Sequence, residues 1–127
     1  MKIEAGLLYT TDHDWVKVEG NKAYVGISAY AEHQLGSIVY VELPEVDSEV
    51  SQGESCGVVE SVKAATDLHA AVSGTIVEAN EEVEDDPTLL NQDPYANWIY
   101  AVEISDASEL DGLMTAEKYE AFLGQEA

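Results

Sequence analysis

The chain has 127 residues, 46% of them hydrophobic, which is enough to bury one core and predicts a single domain over residues 1–127. Its formal net charge of −21 argues against nucleic acid or an anionic membrane as a partner, because both would repel it, and favours partners with basic surfaces; a salt-adapted surface would explain the same acidity. With no apolar run of about 20 residues, no leader-like start and one cysteine, the sequence predicts a cytoplasmic protein without a membrane span or internal disulfide.

Short runs of β-branched and aromatic residues, separated by turn residues, predict a mainly β fold. The predicted strands cover residues 7–10, 15–19, 22–27, 38–43, 55–60, 67–72, 75–79 and 98–104. Between the third and fourth strands, Ser28 is a candidate N-cap of a short helix that ends at Leu35, with Gly36 in a left-handed C-terminal cap. Many short strands at nearly regular spacing indicate a small antiparallel sandwich or barrel, and not an alternation of strands and helices.

The stretch before the last strand contains an acidic run and a proline. We interpret the acidic run over residues 81–86 as a solvated loop. Pro87 suits the first position of a helical turn that ends at Leu90, and residues 91–94 are predicted to break that turn.

The chain after the last strand predicts two more helices. Asp106 and Glu109 form a candidate capping box for a short helix. A C-terminal helix is predicted to begin with Thr115 as its cap and to end at Gly124. Its apolar face, which includes Tyr119, is expected to pack against the sheet.

Lys63 is the candidate functional residue that is left when catalytic and metal motifs are excluded. The three histidines form no zinc-type motif and the isolated glycines form no phosphate cradle, so neither a catalytic residue nor a metal site is predicted. The five basic residues are all lysines, and Lys63 is the only cation between Lys22 and Lys118. It lies in a turn between two predicted strands, where small, stiff neighbours would present it to a modifying enzyme. An ordinary solvated lysine at a hairpin tip is the alternative interpretation.

The turn Glu60-Ser61-Val62-Lys63-Ala64 resembles the lipoyl-attachment turn of the glycine cleavage H-protein family. Other stretches resemble this family in the same order along nearly the whole chain: His13-Asp14-Trp15-Val16, Val25-Gly26-Ile27, Gln34-Leu35-Gly36, Tyr40-Val41-Glu42-Leu43-Pro44, Val72-Ser73-Gly74, Leu90-Asn91, Asp93-Pro94-Tyr95, Trp98 and Tyr119-Glu120-Ala121-Phe122-Leu123. The resemblance implies a mainly β lipoyl/biotinyl-type barrel-sandwich hybrid with short added helices, including a C-terminal helix. The chain departs from the family pattern at Ala71, where proline is usual, and in a shorter loop over residues 95–98.

By this resemblance the chain is a carrier with no turnover of its own. Lipoic acid would be joined to Lys63 by a lipoyl ligase or lipoyltransferase, which would recognise Glu60, Ser61, Val62 and Ala64. The lipoamide arm would accept an aminomethyl group from a pyridoxal-phosphate glycine decarboxylase, present it to a tetrahydrofolate-dependent aminomethyltransferase and be reoxidised by dihydrolipoyl dehydrogenase. The resemblance also implies a monomer, in a prokaryotic cytoplasm in preference to the mitochondrial matrix.

The resemblance further implies that the loaded arm, whose amine is cationic, is sheltered in a cleft on the carrier itself. Asp14 and Asp67 are the candidates to hold that amine by charge-assisted hydrogen bonds, with Asp12 as an additional member of the site. Loop solvation or turn capping would explain the same three residues.

The alternatives to this function include other proteins that carry a cofactor on a lysine and proteins with a different role. A lipoyl domain of a 2-oxoacid dehydrogenase complex is disfavoured because the chain has no flexible linker, and a biotin carrier is disfavoured because no methionines flank Lys63. An H-like lipoate donor, a sulfur-relay carrier and an unmodified binding module are further alternatives that the residues do not separate from the carrier.

Overall fold

The computed structural model describes the backbone of residues 3–126 and the side chains of residues 3–124, and its strands form two antiparallel sheets. The strands are β1 (Leu8–Tyr9), β2 (Asp14–Glu19), β3 (Lys22–Ile27), β4 (Ile38–Glu42), β5 (Glu49–Val50), β6 (Ser55–Ser61), β7 (Ala65–His69), β8 (Gly74–Ala79), β9 (Tyr100–Ile104) and β10 (Met114–Thr115). A seven-stranded sheet has the order β10-β1-β2-β3-β9-β8-β5, and a three-stranded sheet has the order β4-β6-β7. The predicted mainly β, antiparallel architecture is confirmed.

Short helices join and flank the sheets. They are α1 (Ala29–Leu35), α2 (Glu81–Asp85), α3 (Leu89–Gln92) and α4 (Ala116–Glu126), with a 3-10 helix at Ala107–Gly112. Ser28 caps α1 as predicted, because its hydroxyl oxygen accepts the N–H of Ala31 at 3.3 Å, and Gly36 follows the helix with a φ of 74°. None of the helices within residues 3–126 is long and apolar enough to span a bilayer.

The acidic run is a helix and not the predicted loop. Asn80 accepts the N–H of Glu82 at 3.2 Å as an N-cap, and the acidic side chains of the first turn lie where the helix dipole favours negative charge. Val83 is fully buried and anchors α2 to the core. The predicted break at residues 91–94 is also too early, because α3 continues through Gln92.

Two predictions about the C-terminal part are wrong in detail. Glu109 does not complete a capping box with Asp106, because its carboxylate accepts the N–H of Ser73 at 2.6 Å and the hydroxyl of Ser73 at 2.8 Å. Gly124 does not end the last helix, since α4 continues to Glu126. Tertiary contacts and helix propagation override the local signals at both positions.

The two departures from the family pattern have local hydrogen bonds of their own. Ala71 is buried and donates its N–H to the hydroxyl of Tyr100 at 3.3 Å, which a proline could not do. In the shorter loop, the carboxylate of Asp93 accepts the N–H groups of Tyr95 and Ala96 at 3.1 Å. Hydrogen bonds therefore hold the backbone at both positions.

The core forms where inward-facing residues of both sheets meet. Fully buried side chains from the larger sheet pack with those of the smaller sheet in one cluster, which includes Val16, Ile76, Val102, Val41 and Val59. A second cluster joins the C-terminal helix to β1 and β2 through Tyr9, Trp15 and Tyr119. The predicted packing of the apolar face of α4 against the sheet is confirmed.

Candidate functional site

Lys63 lies at the exposed tip of the hairpin that joins β6 to β7. Ser61 closes the turn, because its N–H donates to the carbonyl of Ala64 at 2.7 Å. The hydroxyl oxygen of Ser61 also accepts the N–H groups of Lys63 and Ala64 at 3.2 and 3.1 Å. Val62 is 71% exposed, while its N–H donates to the carbonyl of Ser37 at 3.0 Å. The tip therefore presents an exposed lysine on a turn that hydrogen bonds hold in place.

The side chain of Lys63 lies against Gly36, the residue after α1. A Cβ atom at position 36 would be 2.8 Å from the Cε atom of Lys63, and the positive φ of this residue also favours glycine. Asn91 holds the same loop, because its amide group donates to the carbonyl of Gly36 at 2.7 Å and to the carboxylate of Glu32 at 2.9 Å. Its amide oxygen accepts the N–H of Ile38 at 2.9 Å. This loop gives the lysine a defined neighbour on the α1 side.

A cleft of about 170 Å³ lies between the loop before β2, helix α1 and strand β7, and we call it the aspartate cleft. The structure brings the three predicted acidic residues together here, because Asp12, Asp14 and Asp67 all line it. Much of the remaining wall is apolar, from Ile27, Tyr30, Ala31, Leu35 and Leu68. The cleft therefore combines an apolar wall with negative charge.

Asp14 is the buried member of this acidic group, with 4% of its surface exposed. Its N–H donates to the hydroxyl oxygen of Thr10 at 3.2 Å, but among the described residues no group donates a hydrogen bond to its carboxylate. Burial, and then the charge of Asp12, raise the pKa of Asp14 well above its ordinary value. A cation in the cleft would meet a desolvated acceptor with no competing donor.

The other two aspartates are exposed at the rim of the cleft. Asp67 lies in β7 opposite Val58. The carboxylate of Asp12 is 3.9 Å from the imidazole Nδ1 of His69. Their access to solvent makes their charges weaker partners for a bound cation than that of Asp14.

The remaining predicted residue of the attachment turn, Glu60, is half-buried in β6 and lies opposite Tyr40 and Ala65 in the three-stranded sheet. The sequence did not single out His13 and Gln34 as lining residues of the cleft, although both lie in stretches that resemble the family. Thr66 also lines the cleft and had no signal of its own. Among the side chains of residues 3–124, no group of three or more His, Cys, Asp or Glu could hold a metal ion.

Known proteins resemble this chain along nearly its whole length. The family described as "Glycine cleavage H-protein" matches residues 7–126. The chain belongs to the glycine cleavage H-protein family. Among its relatives, the "Glycine cleavage system H protein" of Alkaliphilus oremlandii is 57% identical over 127 residues, which cover 100% of both chains. That of Thermoanaerobacter sp. (strain X514) is 56% identical over 126 residues, which cover 99% of this chain and 100% of the relative.

A solved structure supports the family at the level of the fold. The glycine cleavage system H protein from Mycobacterium marinum matches with a TM-score of 0.88 and 43% sequence identity, over 96% of this chain and 99% of that one. The family and the barrel-sandwich fold predicted from the sequence are thus confirmed. Membership identifies the chain as an H-protein, a carrier component of the glycine cleavage system.

Proposed function

We propose that the chain is the lipoyl-carrying H-protein of a glycine cleavage system, lipoylated at Lys63 and folded as one domain over residues 1–127. The observation that carries this proposal is the exposed lysine on a hydrogen-bonded turn, next to a cleft that holds the buried carboxylate of Asp14. Amide formation would remove the charge of Lys63 and leave a neutral tether. The cation that the cleft receives is then at the far end of the arm.

The turn residues provide the recognition surface for the lipoyl ligase or lipoyltransferase that we propose as the modifying enzyme. Ser61 fixes the backbone around the lysine, Val62 is exposed beside it, and Ala64 is a small exposed residue on the other side. Glu60 adds a negative charge at the end of β6. An enzyme that reads this shape would modify Lys63 and leave the other lysines unmodified.

The residues of the aspartate cleft fit an arm that carries an aminomethyl group. The apolar wall suits the hydrocarbon part of the arm, and carboxylates suit an ammonium group. We assign Asp14 as the buried acceptor, Asp67 as a second acceptor at the rim, and Asp12 as an additional source of negative charge. A cation beside Asp14 would offset the desolvation that raises the pKa of this residue.

When bound to Lys63, the lipoyl group would supply a disulfide as the electron acceptor: glycine would lose its carboxylate as CO2, its aminomethyl carbon would bond to one sulfur as the S–S bond breaks, and the other sulfur would take up a proton to become a thiol. The proposed partners are glycine decarboxylase, which loads the aminomethyl group, aminomethyltransferase, which moves its one-carbon unit to tetrahydrofolate and releases ammonia, and dihydrolipoyl dehydrogenase. The chain contributes no catalytic residue and acts as a monomer in a prokaryotic cytoplasm. Its contribution is a high effective concentration of the tethered cargo at each partner.

Intact and peptide mass spectrometry after incubation with lipoate, ATP and a lipoyl ligase tests the attachment. We expect one lipoyl increment on the peptide that contains Lys63. Lys63→Ala should abolish the increment, whereas Lys17→Ala should retain it. Lys17 is a matched control because it is exposed in β2, where it contacts Glu19 at 3.2 Å. An increment that survives in Lys63→Ala, or that is absent from the wild type, would contradict the proposal.

A further inference from the structure

We propose that Tyr119 in the C-terminal helix α4 is a positioning residue for the aspartate cleft, so that this helix forms part of the site. The inference rests on the proposed function of the cleft as the shelter of the loaded arm. It concerns a side chain that does not itself line the cleft but contacts two of the elements that do.

The first of these elements is the loop before β2, which carries Asp12 and leads into Asp14, the first residue of the strand. His13 lies between them with a φ of 69°, a left-handed conformation that is uncommon for a residue other than glycine. The N–H of His13 donates to the carbonyl of Thr10 at 3.1 Å, and the N–H of Thr10 donates to the carbonyl of Asp14 at 3.0 Å. The direction of both carboxylates therefore depends on a loop whose central residue has an unfavourable backbone conformation.

Tyr119 holds this loop through the side chain of His13. Tyr119 is fully buried, and its hydroxyl oxygen is 2.9 Å from Nδ1 of His13. The imidazole ring also packs against Tyr30, with 4.5 Å between the ring centroids. Tyr30 belongs to α1 and lines the cleft, so that His13 already contacts the opposite wall.

The second element is α1 itself. The hydroxyl of Tyr119 is 2.8 Å from Oγ of Ser28, the fully buried N-cap of this helix. Helix α1 supplies Tyr30 and Leu35 to the cleft wall. One buried hydroxyl thus connects side chains of the two elements, and it adds to the backbone hydrogen bond from the N–H of Ser28 to the carbonyl of His13 at 2.9 Å.

Tyr9 provides a matched control for this role. Its ring stacks on the ring of Tyr119 at 4.4 Å with an interplanar angle of 1°, and it is also fully buried. The hydroxyl of Tyr9 instead donates to the carbonyl of Glu4 and accepts the N–H of Glu4, both at 2.8 Å, and it also bonds the side chain of Tyr95, which does not line the cleft. Tyr9→Phe and Tyr119→Phe therefore remove the same atom from one stacked pair, but only the second removes direct hydrogen bonds to His13 and to Ser28, the N-cap of α1.

The experiment uses the full-length lipoylated chain, loaded from glycine by glycine decarboxylase and then separated from that enzyme. Tyr119→Phe should shorten the lifetime of the aminomethylated protein by about two- to tenfold, because the buried hydrogen bonds of this hydroxyl to His13 and to Ser28 are both lost. Tyr9→Phe should leave this lifetime unchanged. In the unlipoylated chain, the ¹⁵N NMR signals of the His13 ring should shift in Tyr119→Phe and stay in place in Tyr9→Phe, which a general loss of stability would not produce.

Asp14→Asn separates failure of this inference from failure of the proposed function. If Asp14→Asn has the wild-type lifetime, the cleft is not the shelter, and both proposals fall. If it shortens the lifetime while Tyr119→Phe has no greater effect than Tyr9→Phe, or if the His13 signals do not shift, only the positioning role is wrong. Should Tyr119→Phe not fold, Ser28→Ala takes its place, because Ser28 bonds the same hydroxyl and does not line the cleft, and its lifetime must also fall below that of Tyr9→Phe.

Discussion

The Lys63 tip and the aspartate cleft serve the same proposed arm but are built in opposite ways. The tip is exposed and is held mainly by hydrogen bonds among residues 61–64, which are neighbours in sequence, with one further backbone bond from Val62 to Ser37. The cleft is assembled from the loop before β2, helix α1 and strand β7, and its principal carboxylate is buried. The attachment point is thus a local feature, whereas the binding surface requires the whole fold.

The two regions also differ in what they contribute to stability. A lysine at an exposed tip has access to water and loses little on folding. The carboxyl group of Asp14 is mostly buried and accepts no hydrogen bond from the described residues, so that burial disfavours its charged form when no cation is bound. Asp14 is therefore expected to be retained for binding at the expense of stability, as functional polar groups often are.

The largest expected effect is the loss of shelter in Asp14→Asn. A charge-assisted hydrogen bond to the cargo amine would be replaced by a neutral one, and the lifetime of the aminomethylated protein should fall by about 10- to 100-fold. Asp67→Asn should have a smaller effect, because Asp67 is exposed. Release of ammonia and formaldehyde from the isolated loaded carrier measures both rates.

The control for this comparison is Asp111→Asn, which removes one negative charge from the 3-10 helix outside the cleft. It should leave the lifetime unchanged. Equal effects of Asp111→Asn and Asp14→Asn would mean that the net charge of the carrier, and not the cleft, protects the cargo.

Gly36→Ala tests the contact between the two regions, since Gly36 follows α1 and touches Lys63. With φ at 74° and ψ at −142°, alanine should lower the free energy of unfolding by about 1–3 kcal/mol. The added Cβ would also displace the end of the lysine side chain. Urea unfolding measures the first effect, and the ¹³C shift of Lys63 Cε measures the second.

Gly20→Ala is the matched variant, because Gly20 has a φ of 62° and no atom within 4 Å of an added Cβ. It should lower stability by about 1–2 kcal/mol and leave the Lys63 signal unchanged. A Lys63 Cε shift that is the same in Gly36→Ala as in the wild type would rule out the contact.

The raised pKa of Asp14 predicts a pH dependence of stability that distinguishes the cleft from the tip. Because the folded chain binds this proton more tightly than the unfolded chain, the wild type should lose stability relative to Asp14→Asn as pH rises from the ordinary aspartate pKa of about 3.9 through the raised value. The difference in the free energy of unfolding should change by at most about 1.4 kcal/mol per pH unit. Urea titrations of both chains across this range provide the measurement.

Asp12→Asn sharpens the same experiment. The charge of Asp12 is the smaller of the two causes that raise the pKa of Asp14, after burial. The pH dependence attributed to Asp14 should therefore weaken but persist in Asp12→Asn. The free energy of unfolding of the wild type minus that of Asp14→Asn should fall as pH rises. If this quantity rises with pH, or does not change, Asp14 is not a desolvated acid.

The sequence was sufficient for the tip and for the fold, but not for the surroundings of the cleft. Alternation, turn residues and the run around Lys63 are local signals, and most of the strands followed from them. The acidic run that forms α2 was misread because its burial through Val83 is a tertiary effect. In the same way, the side chains of Thr66 and Tyr119 acquire their places only when distant elements pack together. The resemblance to the family indicated Asp14 and Asp67 as site residues, but only the structure shows that Asp14 is buried and Asp67 is exposed.

The smallest expected effect is at the tip, in Ser61→Ala, and it tests whether the two regions are independent. This change removes the hydroxyl oxygen that accepts the N–H groups of Lys63 and Ala64. Because water can replace it at an exposed turn, the loss should be about 0.5–1 kcal/mol, seen as amide exchange at Lys63 and Ala64 that is about two- to fivefold faster. Ser37→Ala is the control, since Ser37 contacts Val62 through its backbone carbonyl, which the variant keeps. If Ser61→Ala also shortened the lifetime of the loaded carrier as much as Asp14→Asn does, the tip would be a structural part of the shelter, and the division into a local attachment site and a separate binding cleft would be wrong.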